Sequence, residues 1–571
     1  MITDKIKNYK FLFSGIVIFF ILLHIGGLNI PYHQDEYKWI YYSHTEITVP
    51  GTIPHPPLTE FVYTRLGPLV GDDNFRAIPF VFGLVNLFLI FYLAKIISGN
   101  RAALWTAFLF TISFYSLLAS LMVDVDGAVM PFFFLIMFIS YFELKKRSFK
   151  IQISNFKSLT WLVLLVIGAT GGFLVKVSGI LPIFAVFLDF LIEKGVFSDK
   201  KRIVKYLGFG VLGATGLIAI LFLAKYIFPF FNLEYSARYW EHFWNSSSFL
   251  DRGWLQTFIQ FAKSILYTSP LLLLPVFFVD KKIWRKIRPF FLSIFIGLFF
   301  YLFAFDFSIG ALDRYFQFLI IPLCIISGAA FAKYMNYELR MANCAKKTEI
   351  IIFAIISVLI FSIQFFNHYT PPLYPKTEWI SRIISLEWNF LYPFMGGSGP
   401  LPFYISFGFM ALIWIYSLAL VIPSFIKNNF KKQALIGVLI LGIIYNAVFI
   451  EEYLFGKING NAKTLVINSV SFIARDESIK KIAVYNDNGG YNVRQTNKYE
   501  KRIYAAPQFE STYKEFFKNF KGHILFIDIP KIGANSMYAK YFSSCKIIYR
   551  KTDKKIEATI YDCQNSSLPK T

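Results

Sequence analysis

Residues 11–58, FLFSGIVIFFILLHIGGLNIPYHQDEYKWIYYSHTEITVPGTIPHPPL, set an apolar run of helical length directly against a loop of carboxylates, histidines and prolines. About 20 apolar residues are enough to cross a ~30 Å hydrocarbon core. The run lacks a small-residue cleavage site, so it reads as a retained first helix rather than a removed signal. Asp35 and Glu36 follow it closely. Charges at a membrane boundary are costly, so they need partners or a task.

Composition makes the bilayer the solvent for most of the chain. Of its 571 residues 56% are hydrophobic and 16% charged, a balance that no water-soluble core can hide. Aromatics reach 19%, with 67 Phe, which suits lipid-facing helices and interfacial belts. The net charge of +23 invites a nucleic-acid reading. In a polytopic protein, however, Lys and Arg collect in cytoplasmic loops beside anionic lipid, so the expected partner is membrane lipid and not nucleic acid. Four cysteines are too few for a disulfide scaffold. Cys324 and Cys344 read as packing residues. Cys545 and Cys563 flank a hairpin-like segment and could pair in an oxidising compartment.

About thirteen apolar runs recur up to Ile450, which predicts an all-α polytopic membrane domain over 1–455. Short basic connections such as ELKKRSFK (143–150) and DKKIWRKIR (280–288) alternate with three longer aromatic loops at 31–75, 229–260 and 367–400. The positive-inside rule then puts the N-terminus in the cytoplasm, and an odd span count puts everything after Ile450 outside. The 229–260 and 367–400 loops carry Trp, Phe and charges at helical spacing and predict short interfacial helices. Over 456–571 the apolar runs shrink to strand length in KIAVYND, HILFIDI, CKIIYRK and IEATIYDC, with a helical STYKEFFKNF between the first two. This predicts a small extracytoplasmic α/β domain. NDNGGYN (486–492) is a turn-forming cluster.

On that topology the outer-leaflet polar groups are Asp35 and Glu36 after span one, Arg76 before span two, and Asp124 and Asp126 before span four. Lys176 follows between spans five and six, and Arg314 with Tyr315 precedes span ten. Each has a plain explanation: a solvated helix start, a cap, a snorkelling lysine, an interfacial Arg-Tyr pair. Together, at one depth, they suggest a shared polar site. His33, His44 and His55 show no metal-ligand spacing.

The ordered series HQDEYKWIYYSHTEI, PHPPLTEFVYTRLGPLVGDDNFRAIPF, the Asp-led span four, GATGGFLVKVSGILP and DRYFQFLIIP resembles the GT-C superfamily of polyprenyl-phosphate-sugar-dependent glycosyltransferases. The pattern is nearest the lipid A aminoarabinose transferase and protein O-mannosyltransferase families. It covers roughly 30–190 well, thins to 330 and is architectural beyond. Lys176-Val177-Ser178-Gly179 stands where the family often has Lys-Gly, and Val125-Asp126 where it commonly has Pro-Asp.

The resemblance implies transfer of a sugar from a polyprenyl-phosphate-linked donor to an acceptor hydroxyl on a protein, lipid or surface glycan. The phosphate leaving group departs as an anion and needs positive charge, for which Arg76, Lys176 and Arg314 are the candidates. The acceptor hydroxyl must lose a proton, and Asp35 is the candidate general base. Glu36 would orient it or bind acceptor. His55, Asp124, Asp126 and Tyr315 are candidate substrate contacts. A single displacement with one base inverts the anomeric centre. The Asp124-x-Asp126 spacing suits Mg²⁺ or Mn²⁺, yet the reading favours no required cofactor. The competing class is a lipid or solute transporter or flippase, which the clustering of charge at one face and the lack of paired repeats argue against.

Overall fold

The computed structural model describes residues 2–44, 55–149, 156–245, 253–304, 313–335, 347–395, 400–426, 430–505 and 509–566. Among these, seven helices are long and apolar enough to cross a membrane: Asp72–Ser98, Phe156–Val175, Lys200–Ile227, Lys281–Phe303, Arg314–Tyr334, Phe407–Ile426 and Lys431–Leu454. The count is nine if each of two bent pairs is one span. These are Asn100–Ile112 with Phe114–Leu121, bent by 66°, and Trp254–Tyr267 with Pro270–Phe278, bent by 85°. The count of about thirteen runs is therefore not reproduced by helix length. Ile180–Glu193 has 14 residues, too short for the hydrocarbon core, and Val129–Lys146 ends in two lysines. At the second bend Pro270 occupies the first turn, where its missing N–H costs nothing.

The chain divides into two compact units, neither continuous in sequence. The first holds Met1–Leu28, Trp39–Cys344 and Ser417–Ile443; the second holds Asn29–Lys38, Ala345–Tyr416 and Ile444–Thr571. In the first unit the spans differ sharply in burial. The apolar window of Arg314–Tyr334 is 83% buried, that of Lys200–Ile227 only 6%. A helix whose Val204, Leu207, Leu212 and Ile227 all lie open has lipid, not water, as its natural surroundings.

The second unit contains two sheets. β1 (Leu391–Phe394) and β2 (Phe403–Ser406) pair antiparallel. The larger sheet has β3 (Ile482–Tyr485), β4 (Tyr499–Ile503), β5 (His523–Ile527), β6 (Lys546–Asp553) and β7 (Ile556–Asp562) in the order β4-β3-β5-β7-β6. β3 runs parallel to β4 and β5, while β7 is antiparallel to β5 and β6. The four strands expected from the sequence are present, as is the helix, Glu510–Asn519. β4 was not expected: YEKRI offers too little apolar alternation, which suits a charged edge strand. Tyr485, Ile503, Tyr513, Phe517, Ile524, Tyr538 and Phe542 form the core, closed by a Cys545–Cys563 disulfide. Cys324 is free and buried. Helices Leu233–Asn245, Trp254–Tyr267 and Thr377–Ile384 stand where short interfacial helices were expected, although the second is also half of a bent candidate span.

Candidate active site

In the first unit three interhelical junctions bring charge together. Asp124 and Asp126 lie in the turn between Phe114–Leu121 and Val129–Lys146. The Asp124 N–H donates to the Met122 carbonyl at 3.1 Å, and the Gly127 N–H to the Asp124 carbonyl at 3.0 Å. The Asp124 carboxylate also accepts the Val125 N–H at 2.6 Å. The turn is closed so tightly that a Cβ on Gly127 would come within 2.5 Å of the Met122 carbonyl oxygen. Lys176 ends helix Phe156–Val175, and Arg314 precedes helix Ile320–Tyr334.

Lys176 Nζ donates to Asp126 Oδ1 at 2.6 Å. Arg314 Nη1 pairs with Asp124, and its Nε lies 3.6 Å from Asp126 Oδ2. All four residues are at most 6% exposed. Tyr315 serves both cations: Lys176 Nζ stands 4.2 Å, and the Arg314 guanidinium carbon 5.2 Å, from its ring centroid. Two carboxylates and two cations cancel formally, which is how buried charge is tolerated. Beside Asp126 a mostly apolar cavity of about 40 Å³, lined by Ser178, Tyr301 and Gln317 among others, has room for about one water.

Arg76 is fully buried, and its Nη1 donates to the Leu121 carbonyl at 2.5 Å, bracing the segment that leads into the acidic turn. His55 is half-buried at the entrance to helix Leu58–Val70. In that helix Thr59 Oγ1 donates to the carbonyl of Val175, next to Lys176, at 3.5 Å. Its neighbour Glu60 escaped the sequence reading. It is 5% exposed, and burial pushes its carboxyl up to about 8. Only its place in TEF, between an apolar entrance and an aromatic, hinted at burial.

Asp35 and Glu36 belong to the second unit. Glu36 is sealed, and its Oε2 accepts the His33 N–H at 3.0 Å, an exchange that fixes the first turn of helix Glu36–His44. Asp35 is half-buried and paired with Lys38. Arg502 and Tyr504 lie within electrostatic reach of it. Around this turn stands a polar cluster that sequence reasoning missed. Tyr37 Oη donates to Asp487 Oδ2 at 2.7 Å, and Tyr499 Oη to Asp487 Oδ1 at 3.3 Å. The Arg494 guanidinium sits 5.0 Å from the Tyr37 ring and 3.8 Å from the Tyr499 ring. NDNGGYN, read as a turn, is where Asp487 comes from.

Residues 54–224 match the family described as dolichyl-phosphate-mannose-protein mannosyltransferase. No curated protein matches the sequence. Among solved structures, ArnT from Cupriavidus metallidurans bound to undecaprenyl phosphate superposes with a TM-score of 0.53 at 13% identity, covering 99% of each chain. The apo form of that protein gives 0.51 at 13% identity, covering 97% of this chain and 98% of that one. The S. cerevisiae protein O-mannosyltransferase complex bound to the sugar donor covers 40% of this chain and 34% of its own at 19% identity. Its TM-score of 0.32 is too low to bear on the fold. These findings bear out the resemblance read from the sequence: this membrane protein has the fold of the GT-C glycosyltransferases.

Proposed function

We propose that this chain is a membrane glycosyltransferase that moves a sugar from a polyprenyl-phosphate-linked donor to an acceptor hydroxyl on the outer face of the membrane. The observation that carries the reading is the sealed cluster of Lys176, Arg314, Asp124, Asp126 and Tyr315. It lies in a chain whose fold matches a protein bound to undecaprenyl phosphate. The Cys545–Cys563 disulfide supports an extracytoplasmic second unit.

In this mechanism Lys176 and Arg314 receive the donor phosphate, with Arg76 adding positive potential behind the acidic turn. Asp124 and Asp126 hold the two cations in place before the donor arrives, so that little reorganisation is left for the moment the phosphate leaves with its bonding electrons. Arg314 suits a fork-like grip on phosphate oxygens. Asp35 takes the proton of the acceptor hydroxyl as that oxygen attacks the anomeric carbon from the face opposite the phosphate, and the configuration inverts. Glu36 shapes the turn that presents Asp35. His55 and Tyr315 are substrate contacts. Asp124 and Asp126 do not fit a divalent metal here, because Arg314 and Lys176 already engage them. We read the reaction as metal-independent.

The test is release of free undecaprenyl phosphate in proteoliposomes supplied with undecaprenyl-phosphate mannose, undecaprenyl-phosphate aminoarabinose and related donors. The wild type releases it with EDTA present, and Asp35→Asn releases none while inserting normally. Wild-type turnover by Asp35→Asn removes Asp35 from the role. If the protein moves intact donor across the bilayer without cleaving it, the transferase reading gives way to a flippase.

A further inference from the structure

Asp35 is flanked by two residues that the α/β sheet holds. One position before it, Gln34 Nε2 donates to the Asn486 carbonyl at 3.3 Å. Two positions after it, Tyr37 donates to Asp487. Tyr32 and Tyr37 also meet the Tyr491 ring, at 4.9 and 6.4 Å between centroids. Tyr32, Gln34 and Tyr37 are thus all held by one stretch, 486–491, more than 440 positions away in the sequence.

That loop is itself rigid. It leaves the C-terminal end of β3, which lies between its parallel neighbours β4 and β5. The Asn486 N–H donates to the carbonyl of Ile503, the last residue of β4, at 2.6 Å, and Asn488 Nδ2 donates to the Ile529 carbonyl beyond β5 at 2.8 Å. Asn486 and Asp487 both adopt left-handed backbone conformations, with φ of 50° and 58°. Such strain is held only where the surroundings over-determine it. Gly490 permits the closure, since a Cβ there would lie 2.0 Å from Asp487 Oδ1. The chain reverses its direction of travel across the sheet at β3, going first to β4 and then back to β5. In open α/β sheets the crevice outside the carboxyl ends of the strands at such a reversal is where a ligand binds. In this protein the chain's own Gln34 and Tyr37 occupy it.

We propose that Asp487 is a positioning residue for Asp35: the loop after β3 grips Tyr37 and Gln34 and thereby fixes the direction in which the Asp35 carboxylate points. The inference rests on the reading of Asp35 as general base. Asp487 touches no reacting atom. It acts through the Tyr37 hydroxyl, which burial and the Asp487 charge keep protonated and therefore donating. The loop after β3 is then part of what holds Asp35 rather than an appendage.

The test uses the full chain in proteoliposomes with the undecaprenyl-phosphate sugar the wild type turns over. Tyr37→Phe and Asp487→Ala are expected to lower kcat by about 10- to 100-fold, with donor KM within about two-fold of wild type. Asp487→Asn, whose amide oxygen still accepts from Tyr37, is expected to recover most of the Asp487→Ala loss. Hydrogen exchange at the amides of 34–38 accelerates in Asp487→Ala and stays as in wild type at β6 and β7. A wild-type kcat in Tyr37→Phe and Asp487→Ala, with Asp35→Asn inactive, overturns the inference and leaves the base intact. An active Asp35→Asn overturns the base reading and this inference together. Tyr37→Phe and Asp487→Asn keep the shape of the parent side chains, so misfolding of Asp487→Ala alone does not protect the proposal.

Discussion

The Lys176 ammonium and the Asp126 carboxylate meet at 2.6 Å with 5% and 4% of their side chains exposed, a buried ion pair between two interhelical junctions 50 residues apart. Such a pair contributes little net stability against an apolar replacement, but losing one member strands the other. Asp126→Ala is expected to lose about 3–5 kcal/mol of stability. The double change Lys176→Met with Asp126→Leu regains most of it, and neither variant transfers sugar. Thermal unfolding in detergent, run beside the donor-cleavage assay, separates the two effects.

Arg314 engages both acidic-turn carboxylates and faces Tyr315. Lysine keeps the charge but not the planar fork. Arg314→Lys is expected to reduce kcat/KM by about 10- to 100-fold without loss of fold. A variant with wild-type kcat/KM shows that charge alone suffices there.

Glu60 lies in helix Leu58–Val70, outside the candidate spans, with its carboxyl raised by burial from 4.5 to about 8. Because the folded form binds its proton more tightly than the unfolded chain, its contribution to stability is full below pH 4.5. That contribution is lost as the pH rises through about 8. Glu60→Gln is expected to flatten the fall of Tm with pH over this window. An unchanged pH–Tm profile shows that Glu60 is ionised in the fold.

The Cys545–Cys563 bridge closes a loop of 18 residues. Loops of this length carry roughly 3 kcal/mol of chain-entropy stabilisation. Cys545→Ser with Cys563→Ser is expected to lower the stability of the second unit by about that amount. Unfolding followed with and without reductant checks it: the double variant should be insensitive to reductant, and the wild type should fall to its level.

How much could be read in advance depends on how local each signal is. Apolar length revealed the membrane helices, and short β-rich runs revealed four of the five strands in the larger sheet. Span number was less legible. A run such as 180–193 has the right chemistry and too few helical residues, and the break at Ser113 splits another run in two. The charges at 124, 126, 176 and 314 stood out because apolar sequence surrounds them. Which carboxylate meets which cation depends on the folding of three separate junctions and carried no local mark. Tyr37 and Asp487 lie 450 positions apart, and each sits among residues that read equally well as helix start and turn. Glu60 hid for the opposite reason: one acid in an amphipathic segment looks solvated until packing says otherwise.

The cancellation of charge around Tyr315 has a consequence for selectivity. Two acids stand against two bases around Tyr315, and a further cation, Arg76, is fully buried behind the acidic turn, so the resting protein offers little attraction to small anions in bulk water. Inorganic phosphate and nucleotides are accordingly expected to be poor competitors. On the proposed function, a ligand is then expected to win entry only if its hydrocarbon tail holds the headgroup at that level, leaving partition into the bilayer to do the sorting that long-range attraction does elsewhere.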